Sequence, residues 1–458
     1  MVRSGRDGIR PGVRAPGPVS PFQMSDLKTP SPLLRSASYA GQALCHLTSA
    51  LRLRSAALAL LSGLAALSGG CLSWHVPVSP APRVATAAMS QAEAEHATAN
   101  LRVFDTVWDQ VHRKYYDPSF NGLDWDDLAR TYGPRATAAA DSRALYETIN
   151  EMLEKLQDSH TAAIEPRAAN EERTGQRAIV GITLRRVNDQ WLIADVFPGG
   201  AAAQAGVKPG WIAVKRDGVE LGDRYNRPVQ KPGQVVHWEF LTPEGKTVML
   251  DLKVQPLPTE RFDVHDLPGG LVYIRFDGFD LTATRWLSKQ LELHRTAPGV
   301  VLDLRHNSGG LIASALFAVG EFFPDAVPVF ITLDQKGERF RWASLQLGSA
   351  HYAGRLAVLT GPQTASAAEI LSSALQEKHR AAIVGRRTAG ALLAAIQANL
   401  PDRGMVQVSE LDVITMGGKR LEDEGLAPDI EMPVSTLAQL RADEDPELEA
   451  AIALLLNP

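Results

Sequence analysis

Two stretches decide the fold: VLDLRHNSGG (301–310) and LAVLTGPQTASAAEIL (356–371). Each opens as an apolar run of the kind buried on both faces of a parallel sheet, and each closes on residues that start a helix. In the first, the predicted strand Val300–Arg305 runs into Gly309-Gly310. Paired glycines permit a tight turn; they also accept positive φ and leave backbone N–H groups free to face an anion or oxyanion. In the second, the predicted strand Leu356–Thr360 leads to Ser366 at the first turn of a helix, Ala367–Glu377. A serine there is commonly an N-cap. It also suits a nucleophile, because N–H groups at a helix start, that of Ala367 among them, lie beside a developing oxyanion.

Around these junctions strands and helices alternate. Leu271–Phe276, Val329–Leu333 and Ala381–Gly385 read as buried strands, and Ala283–His294 and Leu311–Phe322 as helices. The β-α-β order predicts an α/β core with crossovers over residues 260–435, with a late strand at Met405–Met416. Residues 436–458 carry a terminal helix, Pro446–Leu455. At the other end of the body, 92–170, Leu101, Phe104, Trp108, Val111 and Tyr115 recur at helical spacing, as do Leu145, Ile149, Met152, Leu153 and Leu156. A helical pair is expected there.

Between 174 and 257 the hydrophobic period changes to two, in Ile179–Leu184, Trp191–Val196, Val235–Leu241 and Val248–Val254. PGGAAAQAGVKPGWIAVKRDG (198–218) lies between them. This arrangement resembles a circularly permuted PDZ domain of the bacterial type. The resemblance implies that the loop Val180-Gly181-Ile182 receives a peptide C-terminus on its backbone N–H groups; a β-barrel without ligand is the alternative.

The chain has 458 residues, 45% hydrophobic and 22% charged, and a formal net charge of −5. That charge is uneven: residues 1–70 carry +6 and the remainder −11. An acidic body excludes nucleic acid as the main partner. The two cysteines, Cys45 and Cys71, precede the body, which therefore holds no disulfide framework, cysteine zinc site or cysteine nucleophile. Residues 1–50 read as an unstructured extension. Within 51–71, Arg52 and Arg54 precede a short apolar run, Ala56–Leu67, and small residues lead to Cys71. The run is too short to span a bilayer and reads as a secretory signal. Gly-Gly-Cys71 resembles a bacterial lipobox, which implies lipidation of Cys71 and a membrane tether, although Ser68 stands where that pattern prefers leucine. The Pro- and Ala-rich stretch 72–91 reads as a tether.

The two junctions taken together, Asp303-Leu-Arg-x-Asn307-x-Gly309-Gly310 and then Thr364-Ala-Ser366-Ala-Ala-Glu369-Ile, resemble the carboxy-terminal processing peptidase and tricorn family of serine peptidases. The likeness covers residues 100–432, including Asp124-Trp125, the PDZ-like insert and Gly425-Leu-Ala-Pro-Asp429-Ile. It implies an α/β peptidase core of the ClpP/crotonase-like kind, with an N-terminal helical segment and an inserted PDZ-like β domain. It also implies Ser366 as nucleophile and the N–H groups of Gly309 and Ala367, or alternatively Gly310, as oxyanion donors.

One branch of this family uses a lysine about 25 residues after the nucleophile as its base. Ala391 stands at that position here, and Lys378 and Lys419 lie elsewhere and read as surface charges. The tricorn branch uses a histidine preceded by a serine, with a glutamate near the C-terminal end. Leu156-Gln-Asp-Ser159-His160 and Leu421-Glu422-Asp-Glu-Gly425 match that pattern. The resemblance thus implies His160 as general base, Ser159 and Glu422 as its orienters, Glu424 as the fallback carboxylate and His306 as the rival histidine. No HExxH or GxxxxGK occurs, and neither metal nor cofactor is expected. The expectation is an exported serine endopeptidase of the bacterial envelope, on the periplasmic side, acting on peptides or tail-bearing proteins. Relatives often assemble, so the resemblance allows an oligomer. The alternative is a silent binding or scaffold protein on the same fold, as in retinoid-binding relatives.

Overall fold

The computed structural model describes residues 77–83, 89–222, 230–346, 351–442 and 444–457. The expected extension, the signal segment with Cys71 and the start of the tether lie outside the described residues. Part of the tether is not free. Ser79 and Ala81 are buried, and Ser79 and Arg83 both bond the carboxylate of Asp105.

Asp105 belongs to α1 (Gln91–Lys114), which begins at a capping box formed by Ser90 and Glu93. Its stripe of Phe104, Val107, Trp108 and Val111 packs on α2 (Trp125–Thr137) and α3 (Ser142–Leu153), capped by Asp124 and Asp141. Three helices therefore stand where the periodicity predicts a pair. Gly133 and Pro134 interrupt the pattern of α2, and its first turn is acidic.

After β1 (Ala162–Ile164) and α4 (Pro166–Thr174) the chain enters an inserted β unit. It comprises β2 (Gln176–Ile179), β3 (Ile182–Val187), β4 (Gln190–Val196), the single turn α5 (Ala201–Gln204), β5 (Ile212–Arg216), β6 (Val219–Glu220), β7 (Val235–Leu241), β8 (Thr247–Lys253) and β9 (Gln255–Pro258). An antiparallel sheet runs β3-β4-β5-β7-β8, with β6 on β5. The β2–β9 pair brings the entry and exit of the insertion together.

The core follows as β10 (Phe262–Asp266), β11 (Val272–Phe276), α6 (Leu281–Leu293), β12 (Gly299–Asp303), α7 (Ile312–Gly320), β13 (Pro328–Leu333), β14 (Arg339–Ala343), β15 (Arg355–Thr360), α8 (Ala367–Glu377), β16 (Ala382–Gly385), β17 (Leu393–Asn399), β18 (Met405–Thr415), β19 (Ile430–Glu431), α9 (Leu437–Arg441) and α10 (Pro446–Leu456). Six strands form one sheet in the order β10-β11-β12-β15-β16-β19, parallel from β11 onward. Alternation sends Ile274, Leu302, Val358 and Ile383 to the face covered by α6, α7 and α8. Tyr273, Val301, Leu359 and Val384 face α10 instead. Burial on both faces explains why these strands read as continuous apolar runs. Each fully buried Leu, Ile or Val contributes about 1.5–3 kcal/mol.

A second sheet is built around β18, which pairs with β1, β13 and β17, while β14 extends it beyond β13. The β1–β18 register sets Ala162 opposite Gln407. That pairing carries the segment just before β1, where His160 lies, onto the core.

Candidate active site

Parallel neighbours β12 and β15 end side by side, and the loops that follow them are stitched together. The Thr364 hydroxyl donates to Leu304 O at 2.7 Å, and Ala365 N donates to Asn307 O at 3.1 Å. Asn307, fully buried, adds two more ties: its Nδ2 donates to Phe276 O at 2.9 Å, and its Oδ1 accepts from Gly309 N at 2.9 Å.

Ser366 sits at the N-terminus of α8 with φ 54° and ψ −119°. A left-handed φ on a serine costs about 1–3 kcal/mol and persists only where the surroundings over-determine it. Here they do. The Ser366 N–H donates to Ala391 O at 2.8 Å and to Glu369 Oε2 at 3.0 Å. Glu369 is fully buried and also accepts from the Thr388 hydroxyl and the N–H groups of Gly390 and Ala391. Burial pushes the Glu369 carboxyl above its ordinary range, against the pull of those donors.

The Ser366 hydroxyl lies 3.1 Å from His160 Nε2, and His160 Nδ1 lies 2.7 Å from Ser159 Oγ. Ser159 Oγ is 2.9 Å from Glu422 Oε2, and Glu422 Oε1 accepts from Ser159 N at 2.9 Å. Leu392 N donates to Glu422 Oε2 at 2.7 Å. Donor inventory orders this chain. An ionised Glu422 only accepts, so Ser159 gives it its single proton and must accept from His160 Nδ1–H. That tautomer leaves Nε2 unprotonated and able to take a proton from Ser366. Burial holds the His160 imidazole below its ordinary value, opposed by the charge of Asp158, and burial raises the Glu422 carboxyl.

Among the expected oxyanion donors the geometry makes a distinction. The Gly309 N–H is taken by Asn307, whereas the N–H groups of Gly310 and Ala367 have no acceptor among the described residues. Gly309 has φ +98°, and a Cβ there would lie 2.6 Å from Ser366 Cβ and 2.9 Å from Ala365 O. Only glycine fits this close an approach to the serine.

Other sequence candidates lie apart. Lys378 follows the far end of α8, about 18 Å from Ser366 by helical rise. Lys419 and Glu424 are exposed. His306 is exposed and bonds Gln363 Oε1 through Nδ1. Ala391 touches the Ser366 N–H through its carbonyl but brings no amine. The sequence reading placed Asn307 and Glu369 in the motif but assigned no role to them or to Asp158, since what each does is tertiary hydrogen bonding. Among the described residues, no group of three or more His, Cys, Asp or Glu is arranged to hold a metal ion.

In the inserted unit, Val180 O accepts from Ala202 N and Gly181 O from Phe197 N. The N–H groups of Val180 and Gly181 have no acceptor among the described residues. Ile179, Val180, Ile182, Leu184, Trp191, Gln230 and Trp238 line an adjoining cavity of about 230 Å³.

Residues 270–432 match the profile of Peptidase family S41, and residues 98–154 that of the Tricorn protease C1 domain. The chain is 29% identical to the chloroplastic C-terminal processing peptidase of Tetradesmus obliquus, over 75% of this chain and 80% of that one. It is 28% identical to the carboxyl-terminal-processing protease of Synechocystis sp., over 76% and 85%. Among solved structures it resembles the photosystem II D1 C-terminal processing protease, with a TM-score of 0.51 and 25% identity, covering 76% of this chain and 99% of that chain.

Proposed function

Because the chain belongs to peptidase family S41 and is a serine-type peptidase, we propose that it is an endopeptidase whose nucleophile is Ser366 and whose general base is His160. The observation that carries this reading is the unbroken hydrogen-bond chain Ser366–His160–Ser159–Glu422. Ser366 Oγ attacks the scissile carbonyl carbon as its proton passes to His160 Nε2. The imidazolium that forms is held by Ser159, and the Glu422 carboxylate stabilises its charge through that hydroxyl. Negative charge on the carbonyl oxygen is met by the Ala367 N–H and by Gly310, with Gly309 joining if substrate displaces Asn307. One such donor typically lowers the barrier by about 3 kcal/mol. Collapse breaks the C–N bond, and the leaving amine takes the proton from Nε2. Water, deprotonated by the same imidazole, then cleaves the acyl ester and restores Ser366.

Substrates in this reading are peptides and unfolded tails. The relatives' names refer to processing at a carboxyl terminus. In support, the N–H groups of Val180 and Gly181 have no acceptor among the described residues, and the adjoining cavity is lined by Ile, Val, Leu and Trp side chains with Gln230, which suits a terminal carboxylate and its last side chain in the manner of a PDZ domain. Export through the 51–71 segment, with a lipid tether at Cys71, completes the proposal and places the enzyme in the bacterial envelope.

The test is digestion of a protein with an unstructured C-terminal tail, compared with the same protein amidated at its terminus. Cleavage in the tail by the full-length chain, absent with Ser366→Ala and weakened by amidation, is the expected result. Equal cleavage of both substrates would remove the carboxylate from the account. Cleavage by Ser366→Ala would remove the nucleophile.

A further inference from the structure

Asp158 has no part in the proton path just described, yet it is built into the same corner of the site. Its Oδ1 accepts from His160 N at 2.8 Å, Thr161 N at 2.6 Å and the Ser409 hydroxyl at 3.0 Å. Ser409 and Thr161 are bonded twice more, hydroxyl to hydroxyl at 3.1 Å and Ser409 N to Thr161 Oγ1 at 3.2 Å. The His160 carbonyl accepts from Gln407 Nε2 at 3.0 Å. Both backbone groups of His160 are thus fastened, one to Asp158 and one to β18, independently of the imidazole. A single carboxylate oxygen joins the turn that bears the base to the strand that anchors it.

We propose that Asp158 is a positioning residue for His160: its carboxylate clamps the turn that aims the imidazole at Ser366 and supplies negative charge that favours the imidazolium as the proton arrives. The inference rests on the reading of His160 as the base. A misplacement of about 1 Å in a reacting group can cost about 100-fold in rate, so the clamp has a measurable consequence. The charge has a second one. Burial lowers the basicity of His160, and Asp158 is the charged neighbour that opposes this. The other groups facing this corner are the buried phenol of Tyr115 and the half-buried phenol of Tyr116 at the end of α1, Arg420 with its partner Asp412, and Glu422, which meets His160 through Ser159.

Asp158→Asn separates charge from geometry, since an amide oxygen still accepts all three bonds. The His160 imidazole is titrated by NMR in the histidine-labelled full-length chain, with His160→Ala identifying its resonance. Labelling of Ser366 by a fluorophosphonate is timed across the same pH range. In Asp158→Asn the imidazole midpoint falls by roughly one pH unit, the acid limb of labelling moves down with it, and the plateau rate drops about tenfold. Asp158→Ala loses the clamp as well and drops about 100-fold. An unchanged midpoint in Asp158→Asn overturns the proposal, whether or not Asp158→Ala folds. The imidazole titration needs no catalysis, so it judges Asp158 separately from the base: labelling that survives in His160→Ala would remove His160 instead.

Discussion

Ser159 donates its hydroxyl proton to Glu422 Oε2 across 2.9 Å, although the two residues stand 263 positions apart in the chain. Because Glu422 accepts from both Ser159 groups and from Leu392 N, each of its two oxygens faces a backbone N–H. A glutamine cannot replace it. Whichever way the amide turns, its NH2 faces a backbone N–H, and if it also meets Ser159 Oγ it reverses the hydroxyl and favours the wrong imidazole tautomer. Glu422→Gln is expected to lower kcat by 100-fold or more, towards the roughly 10⁴-fold known for tautomer loss in a serine triad. Steady-state kinetics on a fluorogenic peptide checks this, and a loss under threefold would mean that Glu422 does not orient the base.

The acid limb of activity follows from the same two groups. Catalysis needs His160 neutral and Glu422 ionised, so protonating either one inactivates. Burial shifts His160 down, so the limb in log kcat/KM lies below about 6.5, the unperturbed imidazole value. Burial raises the Glu422 carboxyl towards the same acid range, and its protonation steepens the slope towards two. A pH profile of kcat/KM tests both features; a midpoint at 7 or above would contradict the buried, unprotonated imidazole.

Asn307 ties the end of β11 and its own glycine loop to the nucleophile loop. Removing its amide strands the Phe276 carbonyl and frees the Gly309 N–H, and a buried unsatisfied polar group costs about 1–3 kcal/mol. Asn307→Ala is expected to lower the melting temperature by several degrees and kcat by about 100-fold, with KM little changed. Calorimetry and kinetics together read this out. Wild-type kcat at a lowered melting temperature would confine Asn307 to stability.

Glu260, half-buried against Gly278, sits beside Asp280 and Asp277. Burial first and those two charges second push its carboxyl up to about 7. A carboxyl raised above its unfolded value of about 4.3 leaves stability intact below that pH and drains it as pH rises through 7. Glu260→Gln is therefore expected to melt about 2–4 °C above wild type at pH 8 and level with it at pH 4. Scanning calorimetry at both pH values decides it, and equal melting at pH 8 would place Glu260 in water.

What could be read from sequence depended on the kind of signal. The strands of the parallel sheet announce themselves because burial on two faces demands apolar runs. Ser366, His160, Ser159 and Glu422 were named through a motif whose spacing the fold turns into contact. Helix α2 was hidden by Gly133 and Pro134, and β17 and β14 by their exposed edges. Docking of Ser79 and Ala81 depends on Asp105, a partner no local pattern indicates. The roles of Asn307, Glu369 and Asp158 escaped for a related reason: each has a side-chain hydrogen bond to a segment far away in sequence, Asn307 to the Phe276 carbonyl, Glu369 to the N–H groups of Gly390 and Ala391, and Asp158 to the Ser409 hydroxyl. The same holds for Gly309, whose N–H looks free in sequence and is taken by Asn307 in the fold.

The central claim is an activated serine served by a histidine base. The most direct measurement is labelling of the full-length chain with a fluorophosphonate, followed by mass mapping of the adduct. The account predicts one adduct on Ser366 in wild type and none in His160→Ala, with the variant folded. An adduct on Ser366 at the wild-type rate in His160→Ala, or an adduct on another serine, would contradict it.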